Sequence, residues 1–361
     1  MGFIRFLLAC AVVLCHTSTI MGYSPVSGNL AVQCFYIISG FYMAMVLTEK
    51  YDNPGGRGQF YINRALKIYP VYWFVLLLLF TWSIIVYHLK YPGTLDFYTK
   101  YSSPAFASYL YLVLANLLII GLDWTFLLGI DRHGRLYFTN DFNKARPAVY
   151  NFGFNSIAWT VGVELAFYLI APWLNKRKYY LLIILFLASL GLRLLLISRY
   201  TDRNPWNYMF FPTQVMFFIA GIFSFRLYVK FVKAKAGRPL QYVSYIIFLA
   251  VILFYYQFFD ESYTKQAVLF LAVILLVPFA FEATKKSRAD IFLGNLSYPI
   301  YISQMLVIKF VTAKKFPKLI DMGFTALLVT VLFALFIHFI VAAPIESYRQ
   351  RRLLKFHNKT S

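Results

Sequence analysis

The chain has 361 residues, 60% of them hydrophobic and 20% aromatic, with a mean hydropathy of +0.63. A water-soluble domain of this size does not carry such a composition, and repeated apolar runs of about 18–22 residues predict an all-α, polytopic bundle of membrane-spanning helices. The net charge of +21 does not point to nucleic acid, because the cations fall in short loops between apolar runs and no basic domain outside the membrane carries them.

The first run, 6–21, follows Arg5 and contains His16. Eleven residues are almost three helical turns, so both side chains project from one face, about 16 Å apart along the axis. Arg5 can snorkel to the interface. His16 cannot, and a titratable imidazole in a membrane helix points to proton chemistry. The run lacks a small-residue cleavage site, which predicts a retained helix rather than a signal peptide. The second run, 29–47, carries Ser39-Gly40, a place for close helix approach. Cys10, Cys15 and Cys34 lie in these two runs and read as small apolar residues, without disulfide or metal spacing. At the entrance of the third run, 68–87, Arg64 and Lys67 stand three apart on one side of a helical turn. Positive-inside anchoring explains them; so does a role in holding phosphates, for which Arg is the better bidentate partner.

The run 105–130, interrupted by Gly121, Asp123 and Gly129, is expected to enter the membrane and turn back rather than cross. The next, 156–174, holds Glu164, one of only 14 acids in the chain. Burial raises a carboxylate's pKa unless a cation or donor compensates. Two readings stay open: a structural pair with an Arg or Tyr of a neighbouring helix, or a carboxylate that orients His16 and stabilises its protonated form, the logic of acyl-transfer sites. Trp159, Phe167 and Tyr168 surround the same helix. Further runs fall at 179–198, 209–229, 241–259, 266–283, 291–311 and 323–345, eleven in all. Within 291–311, Tyr298, Tyr301 and Gln304 form a polar stripe that must face the bundle, bonding either a ligand or another helix. His88, His133, His338 and His357 show no metal-ligand spacing, and no metal is expected.

Loop cations set the orientation. If Lys50, Arg57, Arg64, Lys67, Lys176-Arg177-Lys178, Arg226 to Arg238, Lys285-Lys286, Arg288 and the C-terminal arginines are all cytoplasmic, both termini are inside. About ten spans then cross, with 88–155 external. The loop Ala313–Met322, with Lys314, Lys315 and Lys318, is external on this reading and runs against it. The alternative makes 131–155 cytoplasmic and leaves 175–178 to break the rule. A membrane domain over 1–346 and a short basic cytoplasmic tail over 347–361 complete the organisation.

Five short patterns occur in one order. They are R-x10-H (Arg5, His16); F-x-x-SGF (Phe35 or Tyr36 to Ser39-Gly40-Phe41); a basic stretch ending in proline (Arg64, Lys67, Ile68, Pro70); W-T-x-x-x-E followed by FYL-x-x-P (Trp159, Thr160, Glu164, Phe167, Tyr168, Pro172); and LG-x-x-SYP-x-Y (Gly294, Ser297, Tyr298, Pro299, Tyr301). In these the chain resembles the acyltransferase family 3 membrane proteins, which include bacterial O-antigen, exopolysaccharide and Nod-factor O-acetylases. The resemblance implies an inner-membrane O-acyltransferase moving an acyl group, most often acetyl from acetyl-CoA, to a hydroxyl of a cell-surface or lipid-linked saccharide. Its expected partners are acyl-CoA, the saccharide acceptor and membrane lipid, with no nucleic acid and no metal. His16 and Glu164 are the expected catalytic residues. Arg5, Arg64 and Lys67 would hold the CoA phosphates, and Trp159, Tyr168, Tyr298, Tyr301 and Gln304 would line the substrate pocket. Two positions depart from the family pattern: Asn63 precedes Arg64 where an arginine is usual, and Gln304 replaces a frequent histidine, so no proton transfer is assigned there. A competing class is a transporter or flippase of lipid-linked sugars, which predicts paired, broken helices in two halves; no such symmetry is visible. A third, an inert assembly partner of a polysaccharide synthase, predicts no need for His16 or Glu164.

Overall fold

A computed structural model describes residues 1–52, 55–99, 104–200, 204–233, 235–258, 262–312 and 316–360, without the side chains of 357–360. Lys314 and Lys315, which bear on the orientation, lie outside the described residues. The helices in chain order are α1 (Gly2–His16), α2 (Gly28–Glu49), α3 (Gly56–His88), the short α4 (Thr94–Thr99), α5 (Phe106–Leu118), α6 (Trp159–Asn175), α7 (Tyr179–Tyr200), α8 (Phe211–Leu227), α9 (Arg238–Phe258), α10 (Tyr263–Thr284), α11 (Arg288–Val311), α12 (Met322–Ile337) and α13 (Ala343–Thr360). Between α5 and α6 runs a two-stranded antiparallel hairpin, β1 (Leu128–Ile130) with β2 (Leu136–Phe138).

Among the described residues, eight helices are long and apolar enough to cross a membrane. Helices dominate because lipid offers no partner for an unpaired backbone group. Two more runs expected to cross, α1 and α6, form helices of 15 and 17 residues. Polar residues close the ends: Ser262 caps α10, Ser287 caps α11, and Asp321 caps α12 by accepting the Phe324 N–H at 2.7 Å. The expected tail is helical. After α12 a π turn at His338–Ala342 leads straight into α13, whose Arg349 and Leu353 are buried.

The chain forms two compact units, one of residues 1–71, 171–177 and 217–361, the other of 72–170 and 178–216. In the first, α1 packs against α11, α2 and α12. Ala9, Val13, Leu296, Ile300 and Ala334 form its apolar centre, with Phe35 of α2 against them. Small residues permit close crossings. A Cβ on Gly221 of α8 would lie 2.8 Å from the Cα of Gly40 in α2, the backbone proximity anticipated for Ser39-Gly40.

In the second unit, the run 105–130 divides. Its helix, α5, has 13 residues and rises only about 20 Å, short of the roughly 30 Å hydrocarbon core. Ile119 and Gly121 then take positive φ, and a 3-10 turn at Asp123–Leu127 leads into β1. Asn116 ties this region together. Its amide donates to the Leu112 and Phe152 carbonyls, its Oδ1 accepts the Phe154 N–H at 2.9 Å, and its own carbonyl accepts the Tyr72 hydroxyl. The hairpin turn is held by Asp131, whose carboxylate accepts the His133 and Arg135 N–H groups; these bonds hold its pKa below the usual range.

Candidate functional site

The first unit gathers the expected cations. The α1 helix is unbroken from Gly2 to His16, so the three-turn separation of Arg5 and His16 stands at about 16 Å. Arg5 is half-buried, with its guanidinium carbon 5.7 Å from the centre of the Tyr42 ring on α2. Arg64 lies on α3 with its guanidinium carbon 5.9 Å from the Phe60 ring centre. One turn on, Lys67 feels the charges of Arg64, Arg5 and Arg349 and, opposing them, that of Glu346. Arg5, Arg64 and Lys67 thus converge, from two helices distant in sequence. Like charges held together in a low-dielectric setting repel strongly and favour an anion between them.

His16 closes α1 at an exposed position. Its Nδ1 stands 2.8 Å from the Val12 carbonyl oxygen. A carbonyl only accepts, so Nδ1 carries the proton in the neutral ring and donates it, leaving the Nε2 lone pair outward. That is the arrangement of a base aimed away from its own helix. The partner at Nδ1 is main chain.

The α11 stripe faces inward. The Tyr298 hydroxyl donates to the Ile68 carbonyl of α3 at 3.1 Å, tying the stripe to the Arg64–Lys67 helix. The Tyr301 ring meets Phe35 edge-on at 6.2 Å. Gln304 is fully buried; its Nε2 donates to the Tyr301 carbonyl at 2.9 Å, while its Oε1 has no hydrogen-bond partner among the described residues. An orphaned buried amide oxygen costs free energy unless a ligand or water satisfies it.

In the second unit, Glu164 accepts a short hydrogen bond from the Tyr168 hydroxyl one turn further along α6. Trp159 is buried at the start of that helix, edge-on to Phe126 at 5.7 Å and to Tyr208 at 5.0 Å. Phe167 is fully buried beside Tyr168. These aromatic side chains are packed largely ring against ring. Against the same helix, the Asp123 carboxylate lies beside Gly162. Burial pushes its pKa up to about 7, opposed by its own and the Trp124 backbone N–H groups.

Two residues of the cation cluster escaped the sequence reading, Arg349 and Glu346 on α13. Arg349 donates to Glu346 from Nε at 3.0 Å and from a terminal nitrogen at 2.6 Å, a two-point pairing. Their signal was the spacing Glu346, Arg349, Gln350, Leu353, which puts an acid, a cation and an apolar residue on one helix face.

A sequence model of the acyltransferase domain matches residues 1–345. Over 94 residues the chain is 33% identical to "Protein 2 in picA locus" of Rhizobium radiobacter, a match covering 26% of this chain and 49% of that protein. The chain therefore spans about half the length of the curated relative it matches. No solved structure matches. With nearly its whole length matched and, among the described residues, eight membrane-length helices in its fold, the chain belongs to acyltransferase family 3 and has the fold of a polytopic helical membrane protein.

Proposed function

We propose that the protein transfers an acyl group, most simply acetyl, from acyl-CoA on the cytoplasmic side of the inner membrane to a hydroxyl of a cell-surface or lipid-linked saccharide, with both termini cytoplasmic. One observation carries the reading: a cluster of three cations, Arg5, Arg64 and Lys67, at one end of a helix whose other end presents an outward imidazole nitrogen. The cations suit the phosphates of CoA. The 16 Å of helix between them and His16 suits an extended arm that delivers a thioester.

In the reaction, Nε2 of His16 takes the proton of the acceptor hydroxyl as its oxygen attacks the thioester carbonyl. A tetrahedral intermediate forms and its C–S bond breaks. The departing thiolate then takes the proton back from the imidazolium, leaving the O-acyl sugar and free CoA. The Val12 carbonyl keeps the Nδ1 proton in place through both transfers. Tyr298, Tyr301 and Gln304, with Trp159 and Tyr168, are the proposed substrate-lining residues, and the Gln304 Oε1 is free to accept from a hydroxyl.

The test is transfer of isotope-labelled acetyl from acetyl-CoA to membrane glycan, with wild-type and variant membranes compared at equal protein level. His16→Asn is expected to lower the rate by about 10²- to 10⁴-fold, the usual worth of a positioned base. Wild-type activity in that variant would overturn the proposal. Glu164→Gln keeps an acceptor for Tyr168 and removes the charge; if Glu164 acts in the reaction through that charge, the rate falls by about 10-fold or more.

A further inference from the structure

The structure holds more cationic character at the proposed donor site than the family patterns supply. Arg349 lies beyond residue 345, where the family match ends, yet its side chain is only 9% exposed and its charge reaches both Lys67 and Tyr51. It is no loose tail cation. Leu353, one turn on, is buried on the same face of α13. Lys67 makes no hydrogen bond or ion pair among the described residues. The nearby acid, Glu346, is already engaged by Arg349 and by the Gln350 amide at 2.6 Å. Arg349 thus adds a fourth cation beside Arg5, Arg64 and Lys67, and like charges gathered in a low-dielectric setting favour an anion among them.

Beside this cluster lies a cavity of about 530 Å³, lined by Tyr51, Asp52, Arg57, Asn175 and Lys176 among others. Its volume falls in the range of small-ligand sites. Tyr51 belongs to both places. It lines the cavity, its hydroxyl accepts from the Asn63 amide at 2.9 Å, and it feels Arg64, Arg349 and Glu346. Asp52 and Lys176 pair at 2.7 Å across the cavity wall, and the Arg57 guanidinium carbon stands 5.9 Å from the Trp173 ring centre.

We propose that α13 completes a binding site for a nucleoside polyphosphate. Arg349 is the fourth phosphate-binding cation beside Arg5, Arg64 and Lys67, Glu346 holds Arg349 until a phosphate displaces it, and the nucleoside enters the Tyr51 cavity. This rests on the donor reading above, which it extends to the residues past the family match. Phosphate-bearing lipid headgroups share the same chemistry, so the test separates the two sources.

Purified protein in neutral detergent is titrated calorimetrically with CoA, then in parallel with nanodiscs of phosphatidylglycerol or of phosphatidylcholine. Arg349→Gln is expected to weaken CoA binding about 10- to 100-fold, the worth of one charge-assisted contact, and Arg349→Lys to recover part of it. Arg351→Gln, an exposed cation on the same helix, should change it less than about twofold if generic charge is irrelevant. Glu346→Gln removes the competing anion and should tighten binding several-fold. A purely structural pair gives the opposite pattern, in which Glu346→Gln and Arg349→Gln weaken binding together. That result overturns the proposal, as does unchanged CoA affinity in Arg349→Gln; in both cases the donor reading stands if wild type binds CoA. Wild-type protein that ignores CoA but binds phosphatidylglycerol through Arg349 overturns the donor reading, and this proposal with it.

Discussion

Substituting Gly40 by alanine sets two opposed helix effects against each other. The new methyl carbon would lie 2.9 Å from the Phe218 carbonyl carbon and 3.0 Å from its Cα, besides meeting the carbonyl oxygen. Comfortable carbon contacts begin at about 3.5 Å, so α8 must retreat by at least half an ångström, and the obstruction is backbone that no rotamer change relieves. Overpacking of this kind costs about 1–3 kcal/mol, here toward the upper end. Alanine in place of glycine within a helix returns about 1 kcal/mol. The net expectation is a loss of about 2 kcal/mol. Gly58 on α3 supplies the matched control: it is exposed and a Cβ there meets nothing within 4 Å, so Gly58→Ala should gain about 0.5–1 kcal/mol. Reversible unfolding of the purified variants in mixed detergent reads the difference, about 3 kcal/mol between the pair. A Gly40→Ala protein as stable as Gly58→Ala would refute the argument that backbone proximity fixes this crossing. Because Tyr42, two residues on, stands against Arg5, the same variant should also weaken CoA binding, whereas Gly58→Ala should not.

Other outcomes follow from the second unit. Asp123 has a pKa raised to about 7 by burial, so between the ordinary carboxylate value and 7 the folded state holds a proton that the unfolded chain has lost. Stability therefore falls as pH rises through that window, by up to about 4 kcal/mol; Asp123→Asn should flatten the dependence, and an unchanged slope in melting temperature between pH 4 and 7 would contradict the assignment. Asn116→Ala strands the Phe154 N–H, while the Phe152 carbonyl keeps the Tyr98 hydroxyl, and should cost about 1–3 kcal/mol; a loss well under 1 kcal/mol in denaturant unfolding would show that water replaces the amide.

The spans were legible because lipid leaves a helix no alternative, and length with hydropathy suffices to find one. The 105–130 stretch was half legible: Gly121 and Asp123 marked the break, but a hairpin of two three-residue strands carries too little pattern to read. Its register depends on Asp131 and on packing against Val149 and Phe152. The helicity of the 347–361 tail was not legible, for a related reason. Its composition is polar, and only the recurrence of Arg349 and Leu353 on one face marks the buried side. Arg5, Arg64 and Lys67 were singled out because each stands near an apolar run, where a cation is conspicuous. Arg349 sits among other cations in the sequence and is distinguished only by where it is buried. The Val12 carbonyl lay beyond reach altogether, since no side-chain pattern encodes a main-chain acceptor.

That carbonyl makes the aim of the imidazole an inheritance of the helix rather than of any neighbouring residue. Every side chain that leaves α1 intact at position 12 presents the same oxygen to His16, so position 12 can drift without disturbing the tautomer. Substitutions that shorten α1 by its last turn carry the opposite consequence. They keep every proposed catalytic residue in the sequence and still let the ring turn, exchanging its two nitrogens.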